Sequence, residues 1–474
     1  MKEQPKFSNV RFYPSLLILF VLVVLTGACS TSPTTSVGER PNIIFLLTDD
    51  HRWDALGVMG NKIIQTPNLD RLAREGVFFR NAYVTTAICA VSRASILTGQ
   101  YQSRHGIEDF VTSFDSSALQ NTYPILLKNA GYRIGFIGKY GVGKPEEQPR
   151  HLYDFWECTN KIQPDYEMTD ENGNYIHHTD KVSQDITRFL DQFGKQEPFC
   201  LSVSFKAPHV QDNDPRQFIS NPRYKTYYAD VTIPVPETAD PKYWNQFPDF
   251  FRTEENIARV RWKLRFATPE MYQESVKNYY RLLTDVDDAV GNMVKKLEAL
   301  GLADNTIIIF TGDNGMYLGE HGLAGKWYGH EESIRVPLII FDPRKGNSLK
   351  RKVSEEIALN IDIAPTILGF AGVAVPENTQ GINLAQLVTE EDPSLKRRDF
   401  FYEHTFMGSP GIPKVEGVVS REIKYMNFIE HDYEELYDLK VDRFEKKNLG
   451  GEEVYHDLLV KMRTRYLELK ELVK

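Results

Sequence analysis

Short, mostly apolar runs recur along the chain at residues 42–47, 77–79, 132–137, 199–205, 306–310 and 336–341. Runs of this length, bounded by turn residues, predict strands buried on both faces. Between them the apolar spacing changes to three and four. Val276, Tyr280, Leu283, Val286, Val290, Val294 and Leu297 mark one face of a long helix that Gly301 closes. Pro67 and Gly76 bracket a second helix, and Gly131 stops a third over 123–130. Strands alternating with helices predict an α/β fold with a large mixed, mostly parallel sheet flanked by helices. After about residue 372 the pattern changes. Segments 418–428 and 435–439 predict strands, and 454–473 a terminal amphipathic helix. The expected organisation is a main domain over 41–371 and a smaller C-terminal α+β subdomain over 372–474, containing a short antiparallel sheet.

Polar residues gather where the apolar runs stop. Asp49-Asp50 follows the first run and Asp313-Asn314 the 306–310 run; Lys139 follows 132–137 and His209 follows 199–205. Open α/β sheets bind ligands beyond the carboxyl ends of their strands. Taken alone, Asp49-Asp50 would read as a solvated turn. Asp285, Asp287 and Asp288 on the long helix are expected to face water or neighbouring cations. Residues 145–180 and 210–270 have no clear period, and either form a substrate-facing insertion or run over the surface.

Composition narrows the setting. The chain has 474 residues, 41% of them hydrophobic and 26% charged, as in a globular protein. Formal net charge is −9, and without residues 1–28 it is near −11, which argues against nucleic acid as a partner. Residues 1–28 read as an export signal: Lys2, Lys6 and Arg11, then an apolar run over 16–25 too short for a membrane span. Thr26-Gly27-Ala28-Cys29 resembles a bacterial lipobox, which implies a lipid on Cys29 and a lipoprotein of the periplasm or outer membrane of a Gram-negative cell; plain cleavage is the alternative. Residues 29–40 read as a flexible linker. Export permits a disulfide between Cys158 and Cys200, and two buried thiols are the other option.

One stretch carries the chemistry. Cys89-Ala90-Val91-Ser92-Arg93-Ala94-Ser95-Ile96-Leu97-Thr98-Gly99 places a lone Cys before a run that looks helical, with Ser92 suited to cap it. The order resembles the sulfatase signature Cys-x-Pro/Ala-Ser-Arg-x-x-x-Leu-Thr-Gly. Thr66 to Tyr83, Asp313-Asn314, Gly319 to Pro337 and Glu435-Leu436-Tyr437-Asp438-Leu439 also resemble that family, in the same order. The chain therefore resembles formylglycine-dependent (type I) sulfatases, members of the alkaline phosphatase superfamily, over most of residues 41–450.

The resemblance implies a formylglycine made from Cys89 by a maturation enzyme, acting as its hydrate on a sulfate ester. It implies a metal held by Asp49, Asp50, Asp313 and Asn314, with residue 89 beside it. Their oxygen donors suit a hard cation, Ca²⁺ in preference to Mg²⁺. Arg93 matches the residue that holds the hydrate, Lys139 and Lys326 match sulfate-binding lysines, and His209 matches the proton donor to the leaving oxygen. His321 and His330 stand beside Lys326 as further substrate contacts, and Trp327 and Tyr328 stack on a sugar or fill the core. The implied substrate is a sulfated carbohydrate of glycosaminoglycan type.

Two positions depart from the family pattern. Val91 stands where Pro or Ala is usual, and Gly141 where Lys-x-His places a His. His51 and His330 are candidates for the missing proton acceptor. Two other readings share the fold: a phosphoester or phosphonate hydrolase, and a catalytically silent protein that binds sulfated glycans. Oligomeric state is left open.

Overall fold

The computed structural model describes residues 40–195, 198–344, 353–389, 396–406, 408 and 410–474. The export signal over 1–28, Cys29 and all but the last residue of the 29–40 linker lie outside them. Eight strands form the large sheet: β1 (Asn42–Thr48), β2 (Val77–Tyr83), β3 (Arg133–Gly138), β4 (Phe155–Cys158), β5 (Phe199–Ser204), β6 (Thr306–Gly312), β7 (Leu338–Phe341) and β8 (Val353–Leu359). Their order is β8-β2-β7-β6-β1-β5-β3-β4. β1 pairs in parallel with β5 and β6 on its two sides, and β3 in parallel with β5. Only β7 runs against its neighbours. The sheet is thus mixed and mostly parallel, as the apolar runs predict.

The side-chain alternation of β1 feeds two apolar layers. Ile43, Phe45 and Leu47 enter one, together with Val91, Ala94 and Leu97 of helix α1 (Cys89–Thr98). Ile44 and Leu46 enter the other, together with Val276, Leu283, Val286 and Val290 of a later helix (Pro269–Leu300). Because β6, β1, β5 and β3 are adjacent and parallel, their carboxyl ends share one edge. The residues that follow them are brought together by topology alone. Asp287 is buried and accepts the N–H groups of Asn68 and Leu69 at the start of the 67–75 helix, so it faces neither water nor a cation. Asp285 is buried beside Arg223 and His177. Cys158 and Cys200 are free thiols on the strands either side of β3.

A four-stranded antiparallel sheet follows: β9 (Asp399–His404), β10 (Val415–Ser420), β11 (Ile423–Phe428) and β12 (Tyr433–Asp438). It supports the segment that carries Lys326. The Lys424 ammonium donates to Glu331 Oε1 at 2.9 Å, and the Tyr402 hydroxyl donates to the Trp327 carbonyl. Among the described residues, no helix is long and apolar enough to cross a membrane.

The same sheet holds a titrating acid. Burial pushes the Glu403 carboxyl up to about 7, against a hydrogen bond from the Ser103 N–H at 3.1 Å. An acid raised on folding is bound to its proton more tightly in the native state. Its contribution is therefore lost as pH rises from about 4 to 7. Glu403→Gln is expected to add roughly 1–3 kcal/mol of stability at pH 8 and little at pH 5, read from melting temperatures. Equal shifts at both pH values would contradict this.

Candidate active site

Asp49 and Asp50 leave the end of β1, with Asp50 in the left-handed region at φ 62°. Asp313 and Asn314 leave the end of β6. The Asp313 N–H donates to the Thr48 carbonyl at 2.9 Å, and the Asp50 N–H donates to Asp313 Oδ1 at 3.1 Å, which ties the two loops together. The Asn314 amide donates to Asp50 Oδ1 at 2.6 Å. These four side chains are buried, so three carboxylates share a dry space and need cations.

Arg93 reaches across this space from α1. Its Nε donates to Asp313 Oδ2 at 2.9 Å and its Nη2 to Asp49 Oδ2 at 3.3 Å. Its Nη1 donates to the Lys139 carbonyl at 2.6 Å and to the Ser204 hydroxyl. Lys139 donates to Asp49 and Lys326 to Asp50. Burial pushes the Asp49 carboxyl up, but Lys139, His209, Arg93 and Lys326 together hold it well below the usual range. Asp313 goes the other way: burial, then the Asp49 charge, lift it to about 6 against Arg93.

Cys89 is the first residue of α1. Its Sγ lies 3.2 Å from Asp49 Oδ1 and 2.8 Å from the Lys326 ammonium. Burial, reinforced by Asp49, pushes the thiol up, so as a thiol this residue keeps its proton. Ser92 does not cap the helix, which starts three residues earlier. Its hydroxyl instead accepts from the Asn360 amide at 2.9 Å. His209 follows β5. Its Nδ1 faces the Val210 carbonyl at 2.7 Å, and a carbonyl only accepts, so the proton sits on Nδ1 and Nε2 faces Asp50 Oδ2 at 3.7 Å. Burial lowers this ring to about 4.

The donor set fits a divalent cation. Atoms of Asp49, Asp50, Cys89 and His209 lie within 4.8 Å of one another. Asn314 Oδ1 is buried with no hydrogen-bond partner among the described residues, a lone pair left for a ligand. A cavity of about 340 Å³ opens onto the group, lined by Cys89, His209, Lys326, Trp327, Asp212 and Arg261 among others. A larger cleft, about 940 Å³, lies elsewhere, between the terminal helix and the end of the small sheet.

The family model described as Sulfatase matches residues 41–373, and one described as N-sulphoglucosamine sulphohydrolase, C-terminal, matches 319–472. The chain belongs to the sulfatase family. An N-acetylglucosamine-6-O-sulfatase of Bacteroides thetaiotaomicron is 30% identical over 94% of this chain and 89% of its own length. An arylsulfatase of Clostridium perfringens is 31% identical over 91% of this chain and 95% of its own. A solved complex with its substrate D-glucosamine-2-N,6-O-disulfate matches with a TM-score of 0.78 at 28% identity, covering 92% of this chain and 98% of that one. The fold and the enzyme class are those of a sulfatase.

The structure of this sulfatase brings Asp49, Asp50, Cys89, Arg93, Lys139, His209, Asp313, Asn314 and Lys326 into one place. It does not bring His321 or His330 there. Their rings stack on each other with centroids 4.4 Å apart, His330 Nδ1 meets the Tyr317 hydroxyl at 2.6 Å, and neither lines the cavity. His51 meets Thr48 Oγ1 at 3.0 Å and the Ala55 carbonyl at 3.2 Å, so both its nitrogens are occupied. Trp327 lines the cavity, whereas Tyr328 is buried against Phe251. Ser204, Asp212 and Arg261 are additions that no motif signalled.

Gly141 has a structural reason to lack a side chain. Its φ is +75°, and a Cβ there would lie 2.7 Å from Arg93 Cδ. Arg93 takes up the room a larger residue would need. Gly141→Ala is therefore expected to cost about 1–3 kcal/mol of stability in urea unfolding. It is also expected to lower kcat by about tenfold or more through displacement of Arg93. Wild-type turnover in the Ala variant would contradict this account.

Proposed function

We propose that this sulfatase hydrolyses a sulfate ester on a glycosaminoglycan-type sugar, using a formylglycine made from Cys89 beside a bound divalent cation, Ca²⁺ in preference to Mg²⁺. Asp49, Asp50, Asp313 and Asn314, with residue 89, would hold the cation; the hard oxygen donors and the orphaned Asn314 Oδ1 support this. When present, the hydrated formylglycine supplies an oxygen nucleophile with a second hydroxyl for sulfate release, and the cation supplies the charge that acidifies it. Arg93 holds the Asp49 and Asp313 carboxylates in position. Lys139 and Lys326 bind the sulfate oxygens and offset their charge as the ester bond breaks. His209 turns Nε2 toward the leaving alcohol oxygen and would donate to it only as the doubly protonated ring, a form that the negative charge of a bound sulfate ester favours.

The observation that carries this reading is the convergence of Cys89, two lysines and His209 on buried carboxylates at the mouth of one cavity. The carbohydrate class is supported by the amino-sugar substrates in the names of the B. thetaiotaomicron relative and the solved complex. The reading extends to a catalytic domain over 41–371 and a C-terminal subdomain over 372–474. It also includes removal of residues 1–28, a lipid on Cys29, a periplasmic or outer-membrane location, and a formylglycine-generating enzyme as partner.

The test compares release from 6-sulfated N-acetylglucosamine, an aryl sulfate, an aryl phosphate and an aryl phosphonate on one preparation. Sulfate release should dominate, should vanish after EGTA treatment, and should return with Ca²⁺ more fully than with Mg²⁺. Activity unaffected by chelation, or phosphonate turnover above sulfate turnover, would overturn the reading.

A further inference from the structure

Helix α2 (Ile257–Arg265) carries two arginines one turn apart that the catalytic arrangement does not use. Arg261 lines the cavity that holds Cys89 and Lys326. Its guanidinium stacks over the Trp327 ring at 4.9 Å, and among the described residues it makes no hydrogen bond and no ion pair within 4.0 Å. Arg265 lies behind it and is 2% exposed. Its Nε donates to Gln217 Oε1 at 2.9 Å, its Nη1 has no partner, and no carboxylate lies within 4.0 Å among the described residues. Two like charges held this close, one of them buried, call for an anion. Asp212 lines the same cavity, but His209, Arg261, Lys326 and Arg265 all act on that one carboxylate. Arg259, by contrast, is occupied: it donates to the Gly322 carbonyl at 2.9 Å and packs on two tryptophans.

The backbone adds a second observation. Trp327 has φ 88°, a conformation that a bulky residue rarely adopts. This places the indole that Arg261 stacks on directly after Lys326. A Cβ on Gly325 would lie 3.6 Å from Arg261 Nη1. The guanidinium is thus fixed against the Lys326 loop, close to the sulfate-binding lysine and outside the metal group.

We propose that Arg261, backed by the charge of Arg265, reads a second anionic group on the sugar that presents the ester. The preferred substrate would then carry two anions: the sulfate to be cleaved, and a second sulfate or a carboxylate on the same or the adjoining residue. An unpaired guanidinium with donors in a planar fork suits both oxyanions. The inference rests on the proposed sulfatase reading of this cavity and adds what the mouth of the cavity selects.

The test measures kcat/KM for 6-sulfated N-acetylglucosamine, for N,6-disulfated glucosamine, and for a 6-sulfated N-acetylglucosamine linked to a uronic acid. An aryl sulfate serves as reference. The wild type should favour one or both dianionic sugars over the monoanion by roughly 10- to 100-fold. Arg261→Gln should collapse that ratio through KM, and Arg261→Lys should keep part of it. Preference for the disulfated sugar assigns a sulfate to Arg261; preference for the uronic acid conjugate assigns a carboxylate. Calorimetric binding of the same sugars to Cys89→Ala protein, with and without Arg261→Gln, should show the same ratio without turnover. A ratio that Arg261→Gln leaves unchanged, or no preference in the wild type, would overturn the proposal. Absence of sulfate release from every compound, the aryl sulfate included, would overturn the underlying reading, and the proposal with it.

Discussion

Cys89→Ser is expected to lose multiple turnover and keep its fold. Serine fills nearly the same volume, and its hydroxyl can sit where Sγ lies between Asp49 Oδ1 at 3.2 Å and the Lys326 ammonium at 2.8 Å. It can attack sulfur once. It has no second hydroxyl from which sulfate is expelled, so at most one sulfate is transferred per protein molecule. The expected fall in kcat is on the order of 10⁴-fold, the scale seen when a nucleophile is lost from a preorganised site. The melting temperature should move by no more than about 2 °C, because no buried carboxylate loses its cation. Steady turnover by the serine variant near the wild-type rate would contradict the role given to residue 89.

Arg93→Met is expected to give the largest loss of stability among these changes. Methionine occupies similar space without charge or donors. The change removes the guanidinium that lies between Asp49 and Asp313, and leaves the Asp313 side chain with the Asp50 N–H at 3.1 Å. Leaving a buried charge uncompensated costs about 3–5 kcal/mol. Arg93→Lys should recover less than half of the loss, because one ammonium cannot reach both carboxylates, the Lys139 carbonyl and Ser204 together. A divalent cation in excess should raise the melting temperature of the methionine variant, since it binds only the folded site. Unchanged stability in Arg93→Met would show that these carboxylates are neutral or solvated in the folded protein.

Much of this was legible in the sequence because strong signals coincide there. Short apolar runs ending in Asp49-Asp50, Lys139, His209 and Asp313-Asn314 predict buried strands. Four adjacent parallel strands then place those ends on one edge. An N-cap at Ser92 would start α1 four residues too late, because the hydroxyl of Ser92 is bound by Asn360, a partner 268 residues away that no local rule contains. His321 and His330 lie next to Lys326 in sequence, yet their rings join an aromatic cluster with Tyr317 and Phe247. Side-chain direction in a glycine-rich loop is set by such packing, not by spacing. Arg261 and Asp212 were illegible for another reason. They come from residues 210–270, which have no apolar period, and only the folded chain shows that they border the cavity of Cys89.

The central claim is that residue 89 works as an oxidised side chain beside buried carboxylates and lysines. It is tested most directly by the mass of the peptide containing residue 89, taken from an active preparation made in cells that hold a formylglycine-generating enzyme. The account predicts an aldehyde or its hydrate at position 89, in a fraction that rises with specific activity. A fully active protein whose Cys89 is an unmodified thiol would contradict it.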